Sequence, residues 1–515
     1  MQAPGSAGPG QRGHAAVTVP AGQVAAAVTV PAGQTAAAAD TLPLPRLPRQ
    51  RPGEPPQYAD VQHPAGPVEW LMSRLIRKLS WSRLADPRIA LGVSGTGLLL
   101  GMLVGATAPN VVTSSVRLPL SSLLPSLSQH GAVAMVMLYT GDVLACLGLA
   151  GMLWAHSQGW TPDPRRLLLL SGIVVAVMVS ITPVGSSDTG SYAAYGHIAV
   201  QGGNPYTNTP VGWGDTAYSN AVGTVWKAQP SVYGPVATLL QAFAAWIGGP
   251  NVVLTVWVLM ILNGAVFIGI GYLLLKTSDD PVRATLFWAA NPVLIQQLVS
   301  GGHLDTLVAG VAICAIQVAR RVSGVRGDVL IGVLVGLACG VKVNAVLIAL
   351  GLGWVLQRRR EWARVARVTA AAAATVVAEY SYYGLSALHP LVGAANDVIF
   401  PSPWRLVQMS GEALGLPGDL VTKAIGVLWP VAMLALAWVI NRRISSDQPR
   451  EVVAPFALTF AWILAAPWVF AWYTALAWVT LTQVPRNRMT RWLAIVTMVL
   501  ALWLSNGGHG RGVLW

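Results

Sequence analysis

The sequence predicts an all-α polytopic membrane protein of about 13 crossings, with one large polar loop between two of them. Hydrophobic residues make up 54% of the 515 positions and charged residues only 10%. The apolar residues form long blocks, which can cross a bilayer as helices because a helix bonds its own backbone. Lysines and arginines lie mostly in short clusters between the blocks, as cytoplasmic loops do. The net charge of +13 is therefore interpreted as membrane topology, and no nucleic-acid partner is predicted.

The N-terminal tail, residues 1–66, is rich in Ala, Pro, Gly and Gln and repeats the phrase VTVPAGQ at Val17 and Val28. Such a segment cannot bury enough apolar surface to fold, and it lacks the charged start and continuous apolar core of a signal peptide. We predict a disordered cytoplasmic extension before a membrane domain over residues 67–515. The three cysteines lie in apolar runs without metal-ligand spacing, so they are interpreted as small core residues.

Clusters of cations set the predicted direction of each span. Five basic residues between Arg74 and Arg88 place the N-terminus in the cytoplasm. The predicted apolar segments are, in order, 89–107, 131–155, 167–184, 251–275, 284–300, 304–319, 329–341, 343–357, 366–384, 424–441, 452–466, 468–483 and 491–505. Alternation along this series places the C-terminus outside.

The longest polar insertion, residues 185–250, lies on the outer face in this topology. Its first charged residue is Asp188, which follows a predicted span by a few positions. A short apolar piece at 235–248 is predicted to be an interfacial or re-entrant helix. A second external loop covers residues 385–423.

Three charged residues at the outer ends of spans are predicted to converge on one external cavity: Asp188, Asp305 and Lys342. Charged groups near bilayer depth are costly and usually have a role or a partner. Outside the membrane the abundant activated donors are lipid-linked, so their phosphate needs a cation and an acceptor hydroxyl needs a base. Lys342 and Asp188 could supply these two functions. The alternative is that each charge is a solvated helix end, with Lys342 snorkelling to the interface.

Three motifs follow the start of the loop, and their order resembles a known family. They are Asp188-Thr189-Gly190-Ser191-Tyr192-Ala193-Ala194-Tyr195-Gly196, then Gly202-Gly203-Asn204-Pro205-Tyr206, then Pro230-Ser231-Val232-Tyr233-Gly234-Pro235. The family is that of the polyprenyl-phosphate-mannose-dependent α-mannosyltransferases in the GT-C glycosyltransferase superfamily, which act in bacterial lipoglycan and cell-wall assembly. The resemblance covers residues 85–505.

The resemblance implies a GT-C-type bundle whose large external loop carries short helices and the catalytic base, here Asp188. It also implies polyprenyl phosphomannose as the donor and a lipid-anchored mannan or other glycan as the acceptor, joined through an α-1,6 link. A single base without a covalent intermediate gives inversion at the anomeric carbon. Lys342 would bind the donor phosphate, with Arg405 as a second candidate because its fork suits bidentate contact. Loss of Lys342 is expected to slow turnover rather than unfold the protein.

Further residues are predicted to contact the donor or acceptor sugar. They are Tyr192, Tyr195, His197, Asn204, Tyr206, Tyr233, His303, Asp305 and Trp468. Aromatic faces with polar tips suit carbohydrate, but the tyrosines could instead anchor the membrane interface, and His197 could support packing beneath the loop. His303 and Asp305 could together bind a divalent cation, although two ligands are too few to define a metal site. No cofactor is therefore assigned.

Several alternatives remain open. The donor could carry arabinofuranose or glucose, the acceptor could be an exported peptide natural product, and the chain could be a secondary transporter or lipid flippase. Transporters usually contain two related halves, whereas these spans show no internal repeat and the informative polar residues crowd onto one face. That contrast favours an enzyme. The high Ala, Arg, Gly and Pro content is typical of a high-GC bacterium, so we predict a plasma-membrane protein with its active site on the outer face.

Overall fold

The computed structural model describes residues 86–107, 116–125, 131–394, 398–399, 402–444 and 449–503. Every regular element in these ranges is a helix, which confirms the all-α class. The tail predicted to be disordered, residues 1–66, lies outside the described residues, as does the end of the chain after residue 503.

The helices are numbered in chain order. The first are α1 (Pro87–Thr107), α2 (Pro119–Ser122), α3 (Gly131–Ser157), α4 (Pro164–Met178), α5 (Asp188–Val200), α6 (Pro210–Trp213), α7 (Thr216–Ala221), α8 (Pro235–Gly248) and α9 (Val252–Thr277). Next come α10 (Pro281–Phe287), α11 (Pro292–Leu294) with a π-helical turn over Ile295–Ser300, α12 (Asp305–Arg321), α13 (Gly324–Val341), a 3-10 turn over Val343–Ala345 and α14 (Val346–Arg358). The last are α15 (Trp362–Tyr380), a 3-10 turn over Gly384–Ala387, α16 (His389–Ala394), α17 (Pro403–Ala413), α18 (Gly418–Arg443), α19 (Arg450–Ala465), a 3-10 turn over Ala471–Tyr473, α20 (Thr474–Leu481) and α21 (Met489–Trp503).

Among the described residues, five helices are long and apolar enough to cross a membrane, namely α1, α3, α9, α13 and α18. Their mean hydropathy lies between 1.7 and 2.3. Each overlaps one of the predicted apolar segments, which supports a membrane protein. The other predicted segments correspond to shorter or less apolar helices, so the number of about 13 crossings stays a prediction.

The predicted segment 284–300 is broken in the structure. α10 ends at Phe287, and α11 begins only at Pro292, because proline cannot continue a helix but suits the first position of a new one. The buried side chain of Asn291 caps this new helix by accepting hydrogen bonds from two backbone N–H groups. The predicted apolar segment 284–300 is therefore built from two separate helical pieces.

The helix directions separate two ends of the membrane domain. At one end lie cations predicted to be cytoplasmic: Arg283 Nη1 donates to the carbonyl of Val484 at 2.7 Å, and Arg320 Nη1 donates to Gln483 Oε1 at 2.7 Å. α12 runs from Asp305 towards this end, and α13 runs back from it and finishes before Lys342. Asp305 and Lys342 therefore lie at the opposite end.

The loop helix α5 is embedded in the protein. All of its residues from Thr189 to Ile198 are buried. Two of its glycines permit close backbone contacts, because a Cβ on Gly190 would meet the carbonyl of Ala221 and a Cβ on Gly196 would meet the carbonyl of Gln241. The latter carbonyl belongs to α8, whose bounds match the short helix predicted at 235–248. Asp188 thus begins a helix that is clamped by two other parts of the loop.

Candidate active site

Asp188 is a partly open carboxylate at the first residue of α5, with a side chain that is 18% exposed. Ser186 Oγ accepts a hydrogen bond from the Asp188 backbone N–H at 3.1 Å. Tyr192, one turn further along the helix, donates its hydroxyl to Asp188 Oδ2 at 3.3 Å, and His303 Nδ1 lies 3.3 Å from the same oxygen.

The surroundings of Asp188 keep it ionised. Burial alone would raise its pKa, but the contact with His303 and the charge of Lys342 outweigh burial and hold the pKa below its ordinary value. The carboxylate is therefore available as a proton acceptor at neutral pH.

His303 is held rigidly beside Asp188. Its ring is 1% exposed and stacks on Trp472, with ring centroids 3.8 Å apart and planes 13° from parallel. The preceding Gly302 has a positive φ of 67°, so the turn that presents His303 uses a conformation that other residues rarely adopt.

Gly302→Ala should destabilise the protein more than Gly202→Ala. Both glycines have positive φ, which costs alanine about 1 kcal/mol. A Cβ at Gly202 would meet nothing within 4 Å, whereas a Cβ at Gly302 would press on Thr189 and on Met260 Sδ, and such overpacking adds about 1–3 kcal/mol. Thermal unfolding in detergent measures the difference, and equal melting temperatures for the two variants would contradict this account of the turn.

Lys342 and Asp305 form a buried ion pair next to Asp188. Lys342 Nζ lies 2.9 and 3.1 Å from the two Asp305 oxygens, and the side chains are 16% and 5% exposed. The ammonium also lies over the ring of Tyr473, 3.9 Å from its centroid. Burial alone would lower the pKa of Lys342, but the Asp305 carboxylate raises it above its ordinary value, so the lysine stays charged. The structure thus brings Asp188, Asp305 and Lys342 into one network.

His303 and Asp305, the two residues that could bind a divalent cation together, have different partners in the structure. His303 faces Asp188 while Asp305 binds Lys342. Within the described ranges, no group of three or more His, Cys, Asp or Glu side chains could hold a metal ion.

Of the predicted sugar-contacting tyrosines, Tyr192 contacts Asp188 directly and Tyr233 packs on Tyr192. Tyr192 and Tyr233 pack edge to face with centroids 5.0 Å apart. Burial raises the pKa of both phenols well above the ordinary value, and the Asp188 charge adds to this. Both therefore stay protonated and can donate hydrogen bonds.

Three other predicted residues, Tyr195, Tyr206 and His197, use their polar side-chain atoms for contacts within the loop. The Tyr195 hydroxyl donates to the carbonyl of Gln229 at 3.0 Å, and the Tyr206 hydroxyl shares a 2.8 Å hydrogen bond with Thr238. His197 Nε2 lies 3.0 Å from a carboxylate oxygen of Asp215. This contact within the loop favours the alternative that His197 supports packing beneath the loop.

Asn204 tethers the loop to the segment after α15. Its Nδ2 donates to Ser386 Oγ at 3.0 Å, and its Oδ1 accepts from the backbone N–H of Tyr206 at 3.0 Å. The ring of Tyr206 packs against Tyr383, with centroids 5.0 Å apart. These contacts join the large loop to the segment predicted as a second external loop.

Trp468 and Arg405 stand at the margin of the network. Trp468 packs edge to face on Phe470, with ring centroids 5.3 Å apart. Arg405 donates from Nη1 to Gln408 Oε1 at 2.6 Å, within its own helix α17. The structure therefore does not bring Arg405 into contact with Lys342.

Sequence reasoning missed three contributors to the site. Trp472 and Tyr473 provide the aromatic surface behind His303 and Lys342. Asp142 on α3 lines a cavity of about 10 Å³ together with Gln296 and His303, which is room for about one water molecule. The signal for Asp142 was a lone carboxylate in an apolar run, whereas the two aromatic residues resemble ordinary membrane aromatics.

A family model described as alpha-(1->6)-mannopyranosyltransferase, N-terminal domain, matches residues 89–358, more than half of the chain. The chain belongs to this family. The family predicted from the loop motifs is therefore confirmed, and membership in the alpha-(1->6)-mannopyranosyltransferase family makes the chain a glycosyltransferase of the mannosyltransferase class. The matched range contains Asp188, His303 and Lys342 but not Trp472.

Curated relatives agree with the family match. Alpha-(1->6)-mannopyranosyltransferase A of Mycobacterium tuberculosis is 27% identical over 415 residues, which cover 74% of this chain and 78% of that protein. Alpha-(1->6)-mannopyranosyltransferase B of Corynebacterium glutamicum is 26% identical over 301 residues, which cover 54% of this chain and 49% of that protein. No significant match was found among solved structures.

Proposed function

We propose that this protein transfers mannose from polyprenyl phosphomannose to a hydroxyl of an extracytoplasmic glycan, forming an α-1,6 link with inversion. The observation that carries this proposal is the partly open, ionised Asp188 within electrostatic reach of the charged Lys342. The names of the relatives support mannose as the sugar and α-(1→6) as the link.

Asp188 acts as the general base in this mechanism. It accepts the proton of the acceptor hydroxyl while that oxygen forms a bond to the anomeric carbon of mannose. The bond from this carbon to the phosphate oxygen breaks, and its electron pair leaves with the polyprenyl phosphate. One base and no covalent intermediate mean that a β-linked donor gives an α-mannoside.

Lys342 stabilises the negative charge that grows on the departing phosphate. The Asp305 carboxylate and the Tyr473 ring hold its ammonium in place, so little reorganisation is needed during the reaction. Arg405 is a second candidate for the phosphate. Its neighbour Trp404 donates a hydrogen bond from Nε1 to the carbonyl of Ala465 at 2.6 Å, which holds α17 against the segment that leads to Trp468. A divalent cation at the phosphate stays a prediction.

Tyr192 and Tyr233 line the sugar subsite nearest to the base. Their protonated hydroxyls can donate to sugar oxygens, and their rings can pack on the sugar face. Trp468 extends the aromatic surface. The contacts found for Tyr195, His197, Asn204 and Tyr206 support a role in shaping the loop, and direct sugar contact by these four stays a prediction.

The test is label transfer from radiolabelled polyprenyl phosphomannose to an α-1,6-oligomannoside, catalysed by membranes that contain the full chain. We expect a labelled product from which an α-mannosidase releases the label. Polyprenyl-linked glucose and arabinofuranose serve as matched donors. Transfer of either instead of mannose would overturn the donor assignment, and mannose transfer only to a peptide acceptor would overturn the glycan acceptor.

A further inference from the structure

A groove of about 520 Å³ runs along the surface between α4 and α9. It starts at the helix ends that lie away from Asp188, at Arg165 and Lys276, and reaches Ala176 on α4 and Ile268 on α9. Its walls are mostly apolar. They are formed by Arg165, Leu168, Leu169, Gly172, Ile173, Ala176, Ile268, Tyr272, Leu275 and Lys276. Leu169 and Ile173 are 66% and 56% exposed, so the groove opens to the surroundings of the helices.

Two cations stand at one end of this groove without a counter-ion. Among the described residues, no carboxylate pairs with the side chain of Arg165 or Lys276, and Lys276 only lies 5.5 Å from the centre of the Tyr272 ring. Neighbouring acids have other partners, since Asp163 pairs with Arg166 and Asp279 pairs with Arg320. The end of the groove is therefore complementary to an anion.

The length of the groove along α4 matches the thickness of one leaflet of a bilayer. Ala176 lies eleven positions after Arg165 on α4, which is roughly 16 Å at about 1.5 Å per residue. Half of a hydrocarbon core of about 30 Å is a similar length. The cations would then lie at headgroup level. The exposed ring of Tyr272 suits the same level, because tyrosine is enriched at membrane–water interfaces.

We propose that this groove binds an anionic glycerophospholipid, with the headgroup phosphate on Arg165 and Lys276 and an acyl chain along Leu169, Ile173 and Ile268. Basic pockets between membrane helices recognise anionic headgroups in this way. The mannosyl donor is not the occupant, because the phosphate site proposed for it, at Lys342, lies at the other end of the helices.

Native mass spectrometry of the full chain in detergent, titrated with phosphatidylglycerol or phosphatidylcholine, tests the proposal. We expect phosphatidylglycerol to bind more tightly. The double variant Arg165→Gln with Lys276→Gln should raise the dissociation constant of the first bound phosphatidylglycerol by about 30-fold. The matched control, Arg326→Gln with Arg358→Gln, removes two exposed cations that do not line the groove and should leave that constant unchanged.

A steric pair of variants tests the groove without changing charge. A side chain added at Gly172 meets no protein atom within 4 Å and would project into the groove, whereas Gly269 is equally open but does not line it. Gly172→Phe should weaken phosphatidylglycerol binding and Gly269→Phe should not. Equal effects within either pair of variants, or equal affinity for the two phospholipids, would overturn the proposal. Tighter binding of polyprenyl phosphate with the same dependence on Arg165 and Lys276 would overturn the assigned occupant.

Discussion

Replacing Asp188 with asparagine should lower kcat for mannosyl transfer by about 100- to 10,000-fold, the range typical for loss of a general base. Asparagine keeps the size of the side chain and an oxygen that can accept from the Tyr192 hydroxyl, but it cannot take a proton from an acceptor. Because α5 is buried and clamped along its length, the backbone around residue 188 should not move. The loss should therefore appear in kcat with little change in the amount of folded protein.

Asp215→Asn provides a matched control for Asp188→Asn in the same loop. Asp215 caps α7 by accepting from the backbone N–H groups of Ala217 and Tyr218, and asparagine caps a helix about as well as aspartate. We expect this variant to keep most of its activity. Undiminished kcat in Asp188→Asn would refute the role of Asp188 as base, and an equal loss in both variants would point to a general disturbance of the loop.

Lys342→Met should have the second largest effect, lowering kcat by about 100- to 1,000-fold through loss of charge stabilisation at the phosphate. The structure adds a stability cost that the sequence did not suggest. Methionine leaves the Asp305 carboxylate buried without its partner, and breaking a buried pair in this way costs about 3–5 kcal/mol. We therefore expect loss of Lys342 to lower the free energy of unfolding as well as turnover.

The double variant Lys342→Met with Asp305→Asn separates these two effects. Asparagine removes the unpaired charge, so the melting temperature in detergent should recover most of the loss while kcat stays low. If activity returned together with stability, Lys342 would serve the fold alone, and the phosphate role would be wrong.

The five long apolar helices were predictable because each coincides with an apolar run in the sequence. The bounds of α8 and α9 follow from such runs, and Asp188 stood out as the first charge after one. The break at Asn291 was not predicted, since a short apolar run looks the same whether it is one helix or two. Proline at position 292 was the available signal.

The site itself was only partly predictable. Charge and position singled out Asp188, Asp305 and Lys342, because few charges occur near bilayer depth. Which partners they take was not readable, since the Asp188 contact with His303 and the stacking of His303 on Trp472 join distant parts of the chain. The same limit applies to Tyr195, whose hydroxyl binds a backbone carbonyl that no side-chain pattern reveals.

The stacking of His303 on Trp472, next to the Tyr473 ring over Lys342, also bears on how the enzyme is made. During synthesis, Asp188, His303 and Lys342 emerge from the ribosome well before these two aromatic residues. Until then His303 lacks the ring on which it stacks, and Lys342 lacks the ring beneath its ammonium. A nascent chain that ends after α14 would carry the whole matched family region and still lack both aromatic rings of this network.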